Sequence, residues 1–153
     1  MTGGSTEPLV LDTDILSELC RGNAAITARA EHYLRSHGRL TITAVTVFER
    51  LRGYRLAIRQ GKPYERQLRA FDALVSTCLV LPFDSDAADR AAIIWGHLSR
   101  SQRSKIGDVL IAGIAFSRQI PLVTRNRKVY EPMTKIAGVN LQIRSWTRPG
   151  TRK

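Results

Sequence analysis

At 153 residues the chain can bury one hydrophobic core without disulfide staples, and 43% hydrophobic with 24% charged residues excludes a disordered, collagen-like or coiled-coil polypeptide. With 24 Lys and Arg against 13 Asp and Glu, the formal charge is +11 at pH 7, a surface that attracts polyanions. The longest apolar stretch, Val109 to Phe116, contains Gly113 and falls far short of the roughly 20 residues that a membrane span requires.

Residues 1–8 read as a flexible N-terminus without the basic and apolar segments of a secretory signal, so the expected compartment is the cytoplasm. Leu9-Val10-Leu11 predicts a short strand that stops at Asp12-Thr13-Asp14, and Ile15 to Cys20 a helix ended by Gly22. Asn23 to Ser36 predicts a second helix with a glycine stop at Gly38. Leu40 to Thr43 is a second strand. Thr46 opens a helix in which Val47, Leu51 and Tyr54 recur at helical spacing up to Gly61, with Glu49 in its first turns. Pro63 starts another helix, whose Leu68, Phe71, Leu74 and Val75 form one apolar stripe. Cys78 to Phe83 is a third strand, and Asp84-Ser85-Asp86 caps a helix through Trp95 to about Leu98. A polar, basic connector from Ser99 to Lys105 leads through Ile106-Gly107-Asp108 into the apolar helix Val109 to Ser117. Pro121-Leu122-Val123 is a fourth strand ending at Thr124-Arg125-Asn126, and Val139 to Ile143 is the candidate fifth. Residues 147–153 read as a loose basic tail. Cys20 and Cys78 have no metal-ligand spacing and are expected to pack as small apolar side chains.

Short apolar strands alternating with helices imply an α/β fold: one domain over 9–146, with a parallel sheet of four to five strands covered by helices. Sites in such sheets form beyond the carboxyl ends of the strands, where Asp12 and Asn126 fall. Asp12, Glu49 and Asp108 each border apolar structure, and a carboxylate drawn out of water needs a cation or a hydrogen-bond donor. Each also has a plainer reading, since Asp12 and Asp108 could cap helices and Glu49 could pair with Arg52. Three such acids in a strongly basic chain favour an acidic site for Mg²⁺ or Mn²⁺, hard ions that take carboxylate and water oxygens.

The segments carrying these acids resemble the motifs of VapC-type PIN domains. Leu11-Asp12-Thr13-Asp14-Ile15-Leu16-Ser17-Glu18-Leu19 is similar to the opening motif, and Thr43 to Glu49, followed by Leu51 and Gly53, to the second. Ile106 to Ala112 resembles the third motif, and Leu122-Val123-Thr124-Arg125-Asn126 the fourth. Trp146 falls where such domains often end. The resemblance implies a metal-dependent ribonuclease acting as the toxin of a VapBC pair, with an RNA substrate such as a tRNA or rRNA loop, a VapB-type antitoxin and a homodimer. It implies Asp12, Glu49 and Asp108 as catalytic residues, Asp12 and Asp108 as metal ligands, and Thr13, Asp14, Thr124 and Asn126 as auxiliary.

Two departures from the pattern lower the acidity: Asn126 stands where many relatives carry a fourth acid, and Val129 where Asp is frequent. A one-metal site is therefore expected, with Asp14 either restoring some acidity or capping the helix. Two groups are candidates for RNA phosphates: Arg52, Arg55 and Arg59 on one side of the Glu49 helix, and Arg125, Arg127 and Lys128 on the loop after the fourth strand. For either group the alternative is a solvated face. Three rival functions are a PIN nuclease outside any toxin–antitoxin pair, a phosphatase of the haloacid-dehalogenase kind built on Asp12-Thr13-Asp14, and a non-catalytic nucleic-acid-binding module. Leu16 stands where the phosphatase motif usually has Thr or Val.

Overall fold

The fold was analysed in a computed structural model that describes residues 7–147. Most of the expected N-terminal segment and all but the first residue of the expected tail lie outside the described residues. At the boundary, Glu7 is held by Arg144, whose Nε donates to its carboxylate at 2.7 Å.

Strand β1 (Val10–Leu11) is fully buried, and Asp12 after it is extended at φ −70° and ψ 163°, its side chain accepting the first N–H of helix α1 (Thr13–Cys20). Asn23 caps α2 (Ala24–His37) by accepting from the Ile26 N–H, and Gly38, at φ +81°, ends it in the left-handed region that glycine enters without Cβ strain. Strand β2 (Thr41–Thr43) runs directly into α3 (Ala44–Arg59). The helix begins two residues before Thr46 because the Thr43 hydroxyl accepts the Thr46 N–H at 3.0 Å and serves as the cap. Helix α4 (Glu65–Ser76) turns Phe71 into the core, β3 (Leu79–Leu81) follows, and Asp84 caps α5 (Ser85–Gly96).

The expected connector from Ser99 holds a short helix, α6 (Arg100–Arg103), closed by a reciprocal capping box between Ser99 and Gln102. Helix α7 (Ile106–Arg118) starts ahead of Val109, so Asp108 lies inside its first turn and does not cap it. After β4 (Leu122–Val123) comes a second unexpected helix, α8 (Arg127–Thr134), which places Arg127 and Lys128 on a helix, not on a loop. Strand β5 is confined to Ile143–Arg144 and does not begin at Val139.

All strand pairs are parallel. One ladder has the order β1-β4-β5 and the other pairs β2 with β3, while β1 and β2 lie side by side. The expected sheet is therefore present as two hydrogen-bonded ladders. Alternate strand residues face opposite layers: Val10 and Leu122 join a core with Ile111, Ile114 and Tyr130, whereas Leu11 and Val123 join Ile15, Leu16, Ile42 and Trp146. Helices thus cover both faces, and the carboxyl ends of β1, β2 and β4 open toward one edge. Cys78 is buried as expected, but Cys20, at the end of α1, is exposed and does not pack in the core. Among the described residues, no helix is long and apolar enough to cross a membrane.

Candidate active site

The register that sets Leu11 opposite Val123 brings Asp12 beside Thr124 at the ends of β1 and β4. The Asp12 N–H donates to Val123 O at 2.9 Å, which fixes its backbone. Asp12 is 3% exposed, and its carboxylate receives the Thr13 N–H at 2.9 Å on Oδ1 and the Thr124 hydroxyl at 2.8 Å on Oδ2. Asp12 is thus both the cap of α1 and a buried site acid; the two readings coexist. Asp108 reaches the same place from α7, and the Tyr130 hydroxyl of α8 bridges the two acids, 3.1 Å from Asp12 Oδ1 and 3.2 Å from Asp108 Oδ1.

Glu49 arrives from α3. The Thr13 hydroxyl donates to its Oε1 at 2.7 Å, and because a hydroxyl has one proton, the 2.9 Å contact between Thr13 and Thr46 is donated by Thr46. Thr43 donates in turn to Thr46 at 3.3 Å, so a run of hydroxyls from the end of β2 terminates on the Glu49 carboxylate. The other side of that carboxylate lies against Gly107, where a Cβ would stand 2.1 Å from Oε2. The pairing of Glu49 with Arg52 is not formed: Arg52 lies over the Phe48 ring, 5.5 Å from its centroid. Glu49 and Asp108 line a cleft of about 390 Å³ together with Phe48, Arg52, Lys105 and Ile106.

Burial is the main force on these acids. It lifts Asp12 from 3.8 to about 7, with repulsion from Asp14 next, while the Thr124 and Thr13 hydrogen bonds pull the other way. Burial also raises Asp108, against the Tyr130 hydrogen bond and aided by Glu49, and raises Asp14, against the hydrogen bond from the Arg125 N–H. Tyr130 is driven well above its ordinary value by burial and then by the charges of Asp12 and Asp108.

Such mutual repulsion is what a cation relieves, and the donor set is all oxygen. Asp14 Oδ1 is buried without a hydrogen-bond partner, a further group that a cation or its water would satisfy. Among the described residues, no three acidic, His or Cys side chains converge closely enough to cage an ion by themselves. A hard divalent ion does not demand a cage, since Mg²⁺ commonly binds through one or two carboxylates with water and phosphate completing its shell. The donor set therefore fits a hard divalent cation.

The auxiliary residues divide. Thr13 and Thr124 orient Glu49 and Asp12, whereas Asn126 is exposed at the start of α8, and its N–H donates to Thr124 Oγ1 at 2.9 Å. Asp14 accepts the Arg125 N–H on Oδ2 and so ties the loop after β4 to α1. Of the six basic residues expected to meet RNA, Arg52 alone lines the cleft. Arg55 and Arg59 are exposed further along α3, and Lys128 is exposed on α8. Arg125 is paired with Glu18 at 3.0 Å and Arg127 with Glu131 at 3.0 Å, so neither is a free cation. Arg50, adjacent to Glu49, turns away to donate to Ser17 Oγ at 2.8 Å and lies over the Phe71 ring.

Sequence reasoning missed Tyr130, Thr46, Gly107 and Lys105. Tyr130 gave no signal because α8 itself was not expected. Thr46 was read only as a helix start, and Gly107 only as part of a motif.

An α/β fold with acids at the carboxyl edge of its parallel sheet is the arrangement expected of a PIN domain. The PIN domain profile matches residues 9–133, and the chain belongs to this family. Within the family it stands with the VapC proteins. It is 32% identical over 124 residues to the tRNA(fMet)-specific endonuclease VapC of Shigella flexneri, covering 80% of this chain and 89% of that one. Its fold is similar to the DNA-bound VapBC of Salmonella typhimurium, with a TM-score of 0.74 and 26% identity over 92% of this chain and 99% of that chain. VapBC-1 of nontypeable Haemophilus influenzae has the same fold, with a TM-score of 0.71 and 23% identity over 92% and 98% of the two chains. The haloacid-dehalogenase alternative is set aside by this membership.

Proposed function

We propose that the protein is a divalent-metal-dependent endoribonuclease of the cytoplasm and the toxin of a VapBC pair, restrained by a VapB-type antitoxin. The observation that carries the nuclease reading is that three different elements bring Asp12, Asp108 and Glu49 to the sheet's carboxyl edge, where Tyr130 bridges buried Asp12 to Asp108, and Asp108 and Glu49 line one cleft. The toxin role and the antitoxin are supported by similarity to the VapBC of Salmonella typhimurium and to the VapC of Shigella flexneri, and a homodimer is part of the same proposal.

Asp12 and Asp108 would hold one Mg²⁺ or Mn²⁺, and the ion supplies Lewis acidity toward the scissile phosphate and lowers the pKa of an adjacent water. Glu49, oriented by Thr13, takes a proton from the attacking water. Thr124 keeps the Asp12 carboxylate turned to the site. Arg52 and Lys105 at the cleft wall offset the repulsion between the acids and the RNA phosphates. A structured RNA loop is the substrate class, and tRNA is the first to test because the Shigella flexneri relative is named for it.

The test incubates wild type and Asp108→Asn with total RNA and defined tRNAs in Mg²⁺, Mn²⁺ or EDTA. Discrete cuts that vanish in EDTA and in the folded variant support the nuclease; equal cleavage by both proteins, or none by wild type on any RNA, overturns it. Co-expression with the neighbouring reading frame tests the toxin role: relief of growth arrest is expected, and a harmless wild type would make it a PIN nuclease of another kind.

A further inference from the structure

The Tyr130 hydroxyl lies within hydrogen-bond distance of both Asp12 Oδ1 and Asp108 Oδ1, its one proton shared between the two acids, and the residue has no solvent exposure. We propose that Tyr130 is a positioning residue of the metal site: its hydroxyl sets the separation of Asp12 and Asp108, and through it the size of ion the pair accepts. The inference rests on the reading of those two acids as holders of a divalent cation.

The two carboxylates come from different elements and are fixed very unequally. Asp12 is tied by the Thr13 N–H, the Thr124 hydroxyl and its own N–H to Val123. Asp108 sits in the first turn of α7, and the hydrogen bond that joins its carboxylate to Asp12 runs through Tyr130. Two like charges so placed move apart unless a donor or a cation stands between them. The hydroxyl approaches from the core, with its ring packed in the same cluster as Val109, Ile111 and Met133. Asp108 lines the cleft, whereas Tyr130 and the buried Asp12 lie behind it, so the bridge reaches Asp108 from the core and leaves its cleft side open to an ion. Close-packed side chains leave few voids into which a neighbour can shift. Ion size is read in oxygen distances, about 2.0–2.1 Å for Mg²⁺ and about 2.3–2.6 Å for Ca²⁺.

The experiment measures the dissociation constants of Mg²⁺ and Ca²⁺ by calorimetry for wild type and Tyr130→Phe, with Tm in EDTA as the check on folding. Loss of the hydroxyl is expected to weaken Mg²⁺ about tenfold, as removing an outer-shell partner commonly does, and Ca²⁺ by less than about threefold. A role in general stability would weaken both ions alike, so an equal loss, or unchanged Mg²⁺ affinity, overturns the proposal while leaving the metal site standing. A wild type that binds neither ion overturns the metal reading and this inference together. If Tyr130→Phe does not fold, wild type labelled with ¹³C at tyrosine Cζ replaces it, the Tyr130 signal being assigned by substituting Tyr33, Tyr54 and Tyr64. That signal should move with Mg²⁺ and by a different extent with Ca²⁺; no movement, or the same movement with both, counts against the role.

Discussion

At Gly107 a Cβ would stand 2.1 Å from Glu49 Oε2 and 3.2 Å from Glu49 Cδ, so any side chain there must displace the carboxylate. The atom in the way is the end of a flexible side chain, and alanine suits the first turn of α7 better than glycine does. Gly107→Ala should therefore keep or raise Tm while lowering RNA cleavage by about a hundredfold, the order expected for a catalytic group misplaced by an ångström. Cleavage within a few-fold of wild type would show that Glu49 needs no fixed seat. The buried acids make a second prediction. Asp12 titrates near 7 in the fold against 3.8 ordinarily, so its proton is held more tightly in the native state. The associated stability is fully present below pH ~4 and is lost as pH rises through about 7; the upward shifts of Asp14 and Asp108 act in the same direction. In EDTA, Tm should fall between pH 5 and pH 8 by more than in Asp12→Asn. Mn²⁺ should recover it at pH 8, where the cation replaces the missing proton. A metal-free Tm that rises over that interval in wild type but not in Asp12→Asn would reverse the assigned sign.

Helices α5 and α7 meet where Gly113 faces Ala91: a Cβ on Gly113 would lie 2.6 Å from Ala91 Cβ and 2.8 Å from the Ala87 carbonyl oxygen. Backbone cannot swing aside as Glu49 can. Gly113→Val is therefore expected to cost about 2 kcal/mol or more, a Tm loss of roughly 4–8 °C for a chain of this size, read by thermal melting. A variant as stable as wild type would show that the two helices have room to part. The contrast explains which elements could be read in advance. Helices with a polar cap and an apolar stripe, such as α2 with Asn23 and Gly38 or α5 with Asp84, declare their ends in the sequence. Helix α6 is four residues long and buries nothing, so its capping box was its sole signal. Helix α8 carries Pro132 and three charged residues, and its Tyr130 and Met133 are buried by what the tertiary fold places around them. Asp12, Glu49 and Asp108 were legible because each acid interrupts an apolar pattern. Tyr130 was not, because it stands between Val129 and Glu131 in a charged segment that does not declare its helix, and only the three-dimensional meeting of β1, α7 and α8 brings its hydroxyl to two acids.

Across the whole molecule, an excess of positive charge surrounds a cluster of carboxylates that by itself repels RNA. The structure separates the basic residues by what they already touch. Arg125 and Arg127 are committed to Glu18 and Glu131, while Arg55 and Arg59 extend from Arg52 along the exposed side of α3, away from the cleft mouth. A phosphate recruits a cation that has no competing partner more cheaply than one that must first leave a carboxylate. Binding to single-stranded RNA weakens with salt by a slope of about 0.7 in log K per phosphate neutralised. Replacing Arg52, Arg55 and Arg59 together by Ala should therefore lower the slope by about 2. Replacing Arg125 and Arg127 should lower it by less than about 1, because each loss also frees an acid that the arginine had neutralised. The measurement is RNA affinity from 50 to 200 mM salt in the Asp108→Asn background, where the RNA stays intact. Equal slope changes from the two sets would mean that the ion pairs on α1 and α8 open at no cost when RNA arrives. A change confined to the Arg125 set would move the RNA track from α3 to the loop that Asp14 ties down.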